Sequence, residues 1–277
     1  QQGIAVQANG ALVAFHGLND EIAFASANCH SLLGLSGEVS ILGTHIRDVL
    51  GREVFHALRN VKMLPSIAKR REHIGKHTIN GQALDISAFQ SGSFVVAEIT
   101  PADVDPMPSA YDVLKDVLLI QDRVQASNDD GEIFRNIVTL LRTISGYDCV
   151  AACKYEEAHS QVVASAGKAL SAHETFEVNT QIHVIQDIGR GTVIVRTASD
   201  VDQFDLSLSA LRCPPGPSIE KLRRLGAAAC VTQGIQIGHH LWGYLVFLHR
   251  SPRAPNHRTR LALSHLQPLI SARLNSF

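Results

Sequence analysis

The stretch from Asp205 to Arg253 constrains the chain more than any other. A polar-capped turn leads into Leu206, Leu208 and Leu211, and Pro214, Pro215 and Pro217 then break any regular element. The sequence IEKLRRLG that follows predicts a short helix closed by Gly226, the residue type that most readily takes the left-handed conformation at a helix end. After it, AAACVTQGIQI and LWGYLVFLH alternate or run apolar, as two sheet strands do, with a tight turn at Gly238–His240.

Composition narrows the class. The chain has 277 residues, 45% hydrophobic and 18% charged, with a formal net charge of −1. That is long and apolar enough for two domains with their own cores. A charge near zero leaves no basic footprint for nucleic acid, and no Lys/Arg run suits a membrane surface. No apolar run reaches the length of a membrane span, and no charged-then-apolar leader opens the sequence. The five cysteines, an odd number without framework spacing, fit reduced thiols and a cytoplasmic setting.

Before that stretch the chain divides in two. GALVAFHGL and EIAFASAN predict a hairpin with inward positions at Leu12, Ile22 and Phe24. Short helical pieces follow around 31–33 and 45–50. HTINGQALDISAFQSGSFVVAEIT then supplies three strands, turning at Asn80-Gly81 and Ser91-Gly92. The prolines of ITPADVDPMPSA end this unit. Helical periodicity takes over at Val113, Val117, Ile120 and Val124, then at Ile133, Ile137, Leu140 and Ile144 up to Gly146. YDCVAACKYE and QVVASAG predict strands. A last helix from about Asn256 buries Leu263, Leu266, Ile270 and Leu274, with a bend at Pro268.

A hairpin, helices and a three-strand meander are the order of a PAS domain, and ASAN…LLG and FVVAEITPAD resemble the phytochrome PAS domain. The succession DLS, LR, a proline-containing turn, a helix ending in Gly, LWG and SPR resembles the bilin-pocket half of a phytochrome GAF domain. The resemblance covers nearly the whole chain and implies an α+β protein, a PAS domain over 1–103 followed by a GAF domain over 104–277. Each would be an antiparallel sheet flanked by helices, with an N-terminal lasso. It also implies a parallel homodimer through the helices flanking the GAF sheet, and a C-terminal output domain, such as a histidine kinase, outside this chain. The same two helical stripes have another reading, as cover for the sheet alone.

The pocket matches the family unevenly. Arg212 stands at the LR arginine that pairs with a bilin propionate, where a planar, permanently charged fork suits a carboxylate leaving water. Thr180 in FEVNTQI stands where the PASDIP motif has its Asp, and HVIQDIG lacks the second propionate arginine. Ser218 stands at the SPxH histidine, and Cys153 at a tyrosine that packs near ring D. Of the histidine pair after LWG the first is Leu248 and the second His249. The IQPHG phrase reads VQANG, Val6–Gly10, and the bilin-linking cysteine would lie a few residues before Gln1. The segment from Phe176 to Asp205 is shorter than usual for the lasso. Each missing charged partner removes roughly 1.5–3 kcal/mol of hydrogen bonding.

Other chemistry finds little support. Cys149 and Cys153 would share a helix face, but on a strand a four-residue step is roughly 13 Å, too far to share an ion. Cys213, on a loop before two prolines, is the cysteine expected to be most exposed and the candidate redox thiol. His239-His240 and the Glu220, Lys221, Arg223 and Arg224 set read as solvated, Trp242 as packing, and His249 as a core histidine or a ligand contact. No GxSxG, Walker loop or HExxH occurs, so no enzymatic activity is expected. The expectation is a PAS–GAF sensory input module that has lost bilin photochemistry and carries no cofactor. The alternatives are a biliverdin photoreceptor core and, less favoured, a thiol redox sensor.

Overall fold

The computed structural model describes residues 4–36, 40–63, 71–102, 109–156, 159–167, 175–176, 178, 181–198 and 205–275. In chain order the elements are β1 (Ala5–Gln7), β2 (Ala11–His16), β3 (Ile22–Ser26), α1 (Cys29–Leu32), α2 (Ile46–Leu50), α3 (Arg52–Met63), β4 (Glu72–Ile79), β5 (Gln82–Ser91) and β6 (Phe94–Pro101). They continue with α4 (Ala110–Gln125), α5 (Asp130–Ser145), β7 (Cys149–Glu156), β8 (His159–Gly167), β9 (His183–Ile185) and β10 (Thr192–Thr197). The last are α6 (Gly216–Leu225), β11 (Ala229–Ile237), β12 (His240–His249) and α7 (His257–Leu274). This is the α+β class, with antiparallel pairing throughout both sheets.

Two compact units form, Gln1–Val104 with Arg190–Cys213, and Asp105–Gly189 with Pro214–Phe277. In the first, seven strands lie in the order β1-β10-β3-β2-β6-β5-β4. One sheet face packs Val13, Phe15, Ile86 and Ile99 against Leu33, Ile46, Val54 and Leu58 of the helical side. The other gathers Val6, Leu12, Phe24, Phe89, Phe94, Val96 and Leu211. Fully burying one such side chain contributes about 1.5–3 kcal/mol.

Strand β10 comes from a stretch that the sequence places inside the second domain, yet it pairs with β3 and β1. Val193 and Val195 turn toward the Val6–Leu211 face while Ile194 and Arg196 are exposed, the period-two pattern of a half-covered strand. The adjoining 209–212 segment lies along the far side of β1. Val6 bridges Arg212, the Gln7 amide donates to the Leu211 carbonyl at 2.7 Å, and the Gln7 side chain donates to the carbonyls of Ala210 and Arg212. Strand β1 is therefore held on both edges by one excursion of the chain. Any closure of a lasso round it would run through 199–204, outside the described residues.

Gly10, in the VQANG phrase, has its reason here. A Cβ at that position would sit 2.8 Å from the Leu211 side chain and 3.0 Å from the Ile99 carbonyl oxygen.

In the second unit five strands lie in the order β8-β7-β12-β11-β9. Ile133, Ile137, Leu141 and Ile144 of α5 and Leu263, Leu266 and Ile270 of α7 are buried. Leu140 and Leu274, expected in these stripes, are only half-buried. Helix α5 is capped by the Asp129 side chain, which accepts from the Glu132 amide at 2.8 Å, and it ends at Gly146 with φ +65°. Pro268 falls on the exposed side of α7, as does Ser264, the residue whose carbonyl loses its helical donor to the proline ring. In α4, Ile120 and Val124 are buried while Val113 and Val117 are half-buried, and Tyr111, Leu114 and Leu118 face outward. Among the described residues no helix is long and apolar enough to cross a membrane.

Candidate functional site

The matched positions divide between the two units. Val6 and Arg212 lie in the first and are bridge partners. Cys213 follows them, and Cys153, Ser218 and His249 lie in the second. Thr180 is outside the described residues.

The Asp205–Arg212 segment is organised by its own polar groups. Asp205 accepts from the Ser207 amide at 2.8 Å and from the Ser207 hydroxyl at 2.6 Å, and the Asp205 amide donates to Ser91 Oγ at 2.7 Å. Arg212 donates one N–H to the Ser207 carbonyl. Among the described residues it has no carboxylate within ion-pair distance. Burial pulls its guanidinium below the ordinary value, opposed by the charges of Glu98 and Asp205.

In the second unit one sheet face carries Cys149, Ala151, Cys153, Cys230, Tyr244, Val246 and Leu248, and α6 covers it through Leu222 and Ile219. Phe176 fills the space beside them at 4% exposure. It is held from several directions. Its amide donates to Tyr244 Oη at 3.1 Å, and its carbonyl accepts from Tyr155 Oη at 2.8 Å. The Lys221 ammonium lies 4.9 Å from its ring centroid and donates to the Thr175 carbonyl. Ser160 Oγ sits 2.9 Å from Tyr244 Oη and 3.1 Å from Thr175 Oγ1. Lys221 is thus drawn out of the solvated set in which the sequence places it: its stem reaches across α6 to an aromatic ring and a carbonyl that need a cation and a donor.

Ser218 is half-buried in the first turn of α6, its amide bonded to the Pro215 carbonyl at 3.0 Å. Strand alternation turns His249 to the opposite face from Leu248 and Cys153. There its ring packs on Tyr147 at 5.7 Å, with Nδ1 3.0 Å from Asp148 Oδ2 but outside hydrogen-bond geometry. The SPR arginine acts at the same corner. Arg253 donates to the Ser145 carbonyl at 3.1 Å, at the C-terminal end of α5, and lies 5.6 Å from the Tyr147 ring. Trp242 stacks on Phe134 at 4.5 Å, as packing.

Cys149 and Cys153 are on a strand, and no metal-binding group of His, Cys, Asp or Glu occurs among the described residues. Burial pushes up all five thiols, Cys153 to about 11 and Cys29, Cys149, Cys213 and Cys230 in the same direction. Cys213 is half-buried, whereas the other four cysteines are buried.

Sequence reasoning passed over Phe176 as a plug, Lys221 as its partner, and Glu98. The Glu98 signal was present: in FVVAEIT positions 94, 96 and 98 share one face, and the third is charged.

Residues 1–102 match a family model described as the PAS fold. Over 97% of its length the chain is 26% identical to the bacteriophytochrome of Pseudomonas aeruginosa, covering 38% of that protein. Over 99% it is 24% identical to phytochrome 2 of Ceratodon purpureus, covering 28% of it. The chain therefore spans well under half the length of these relatives. The structure superposes on the chromophore binding domain of Stigmatella aurantiaca phytochrome P1 with a TM-score of 0.81 at 20% identity, covering 97% of this chain and 95% of that one. The chain thus has the fold of a phytochrome chromophore binding domain, and its sequence is similar to phytochromes over nearly its whole length.

Proposed function

We propose that the chain is the sensory input region of a bacteriophytochrome-like signalling protein that works without bilin photochemistry. In this reading 1–103 is the PAS domain and 104–277 the GAF domain, with 190–213 an excursion of the second onto the first. It has no enzymatic activity of its own and acts on an output domain, such as a histidine kinase, through the helices that flank the GAF sheet. A change of population between two arrangements of those helices is the means of transmission.

The observation that carries the reading is Phe176. The face bearing Cys153, covered by the helix that bears Ser218, is occupied by the chain's own ring and closed by Lys221, Tyr155, Tyr244 and Ser160. The donor set around it does not fit a bilin. A thiol, a serine and leucine stand where the resemblance calls for a tyrosine, a histidine and a histidine. In this reading the packed Phe176 ring and its hydrogen bonds, each contributing about 0.5–1.5 kcal/mol, stand against a tetrapyrrole on that face.

A specific observation favours one alternative. The Arg212 guanidinium, with a single hydrogen bond and no ion pair among the described residues, remains open to a ligand carboxylate, as biliverdin would supply. Titrating the purified protein with biliverdin separates the two. The proposal predicts no saturable absorbance change, and the alternative predicts one that Arg212→Ala weakens at least tenfold. The redox reading has less support, because every thiol is shifted away from the reactive thiolate.

The partner in this reading is a second copy of the chain. Tyr111, Leu114 and Leu118 are 73%, 56% and 49% exposed on one side of α4, opposite its buried side. Parallel pairing stacks these three layers on themselves, with Gln121 and Gln125 continuing the seam.

A further inference from the structure

Glu98 is an acid in the middle of a sheet. It lies on β6 between Leu12 of β2 and Ser87 of β5, on the face it shares with Phe94 and Val96, and is 1% exposed. A lone carboxylate in such a place is strongly disfavoured unless donors surround it. Here the donors come from two distant parts of the chain. Arg71, just before β4, pairs with one oxygen. The other accepts from the Ser209 hydroxyl and from the Leu211 amide, the latter at 3.1 Å. Ser209 Oγ in turn accepts from the same Leu211 amide at 3.1 Å. Ser209 is fully buried and Leu211 nearly so.

This single carboxylate therefore meets the excursion just where the excursion holds β1. The Leu211 residue whose amide points at Glu98 presents its carbonyl to the Gln7 amide, and its neighbours Ala210 and Arg212 present theirs to the Gln7 side chain. We infer that Glu98 is the positioning residue of this clasp: it fixes the 209–212 segment, and through that segment both the N-terminal strand and the Arg212 guanidinium. The inference goes beyond the functional reading and holds whether or not a ligand meets Arg212.

A merely local bond and a clasp differ in how far the loss spreads. In the clasp, removing the carboxylate frees Leu211 and, one link on, Gln7, while the sheet interior and the second unit stay closed.

The test is residue-resolved amide hydrogen exchange on the whole chain. Glu98→Ala is expected to speed exchange about tenfold or more at both Leu211 and Gln7, leaving Val96 and Val246 within about twofold of wild type. Glu98→Gln keeps an acceptor for Ser209 and Leu211 but turns an amide NH2 toward the Arg71 guanidinium in place of the accepting oxygen, so it is expected to restore part of the protection at Gln7. If Glu98→Ala does not fold, Ser209→Ala takes its place, with a smaller loss expected at the same two amides. Faster exchange at Leu211 alone would reduce Glu98 to a local acceptor. Uniform loss across both units would make it an ordinary core residue. Either result overturns the inference.

Discussion

Lys221 and Phe176, 45 positions apart in the sequence, meet with the ammonium 4.9 Å from the ring centroid while the same ammonium holds the carbonyl of Thr175. A cation over an aromatic face is worth most when water is kept away. Here the ring is buried and its backbone is bonded to two tyrosine hydroxyls, so the contact locks an occupant in place.

Phe176→Ala is expected to cost about 3–5 kcal/mol, because it leaves a cavity under α6 and strips the face of its plug. Lys221→Met, which keeps the stem and removes the charge, should cost about 1 kcal/mol. Urea denaturation of the two variants measures both. Equal costs would mean that the lysine, not the ring, holds the segment.

Gly243 of the LWG phrase faces β7 so closely that a Cβ would collide with the Cys153 carbonyl and sit 2.9 Å from Lys154 Cα. Gly243→Ala should therefore destabilise the second unit by at least 1–3 kcal/mol, roughly the cost of overpacking. Gly216→Ala, with open space around it, is the matched control and should change stability by less than about 1 kcal/mol. Thermal melts of the pair decide it.

The thiols give a pH dependence with a definite sign. Cys153 is held at about 11 in the folded protein against 9.0 unperturbed. Between those values the unfolded chain has released its proton while the folded chain keeps it. Stability is thus fully present below about pH 9 and falls as pH rises through about 11, by about 1.4 kcal/mol per unit for this one group. Denaturation at pH 8 and pH 10.5 should show the decline, and Cys153→Ala should remove its share. At pH 7.5, iodoacetamide is expected to label the folded protein far more slowly than the urea-unfolded chain.

Leu118 lies at the middle of the exposed side of α4. Leu118→Glu should convert a dimer to a monomer in light-scattering measurements without lowering the melting temperature by more than a degree or two, since the side chain has no part in the unit's own core. A monomeric wild-type chain at micromolar concentration would contradict the seam.

Much of the fold was written in local signals. Asn80-Gly81 and Ser91-Gly92 turn the strands where the sequence says, Asn256 caps α7, and Gly226 ends α6 with φ +68°. What the sequence hid depends on partners far away. Strands β1 and β9 have three residues each, too short for a period to register, and β10 joins a sheet that begins almost two hundred residues earlier. Helix α3, with its apolar stripe at Val54, Leu58 and Val61, was legible and was passed over. In the candidate site, the substitutions at Cys153, Ser218 and Leu248 could be read directly, but what fills the face in their place could not. Lys221 looks solvated beside Glu220 and Arg223 until α6 is laid across Phe176.

The most direct measurement is an absorption spectrum of the protein purified, from its full-length gene, out of cells that make biliverdin through a haem oxygenase, in darkness and after red light. The account predicts no bound pigment, and so no difference between the two spectra. A red or far-red band that changes on illumination would contradict it.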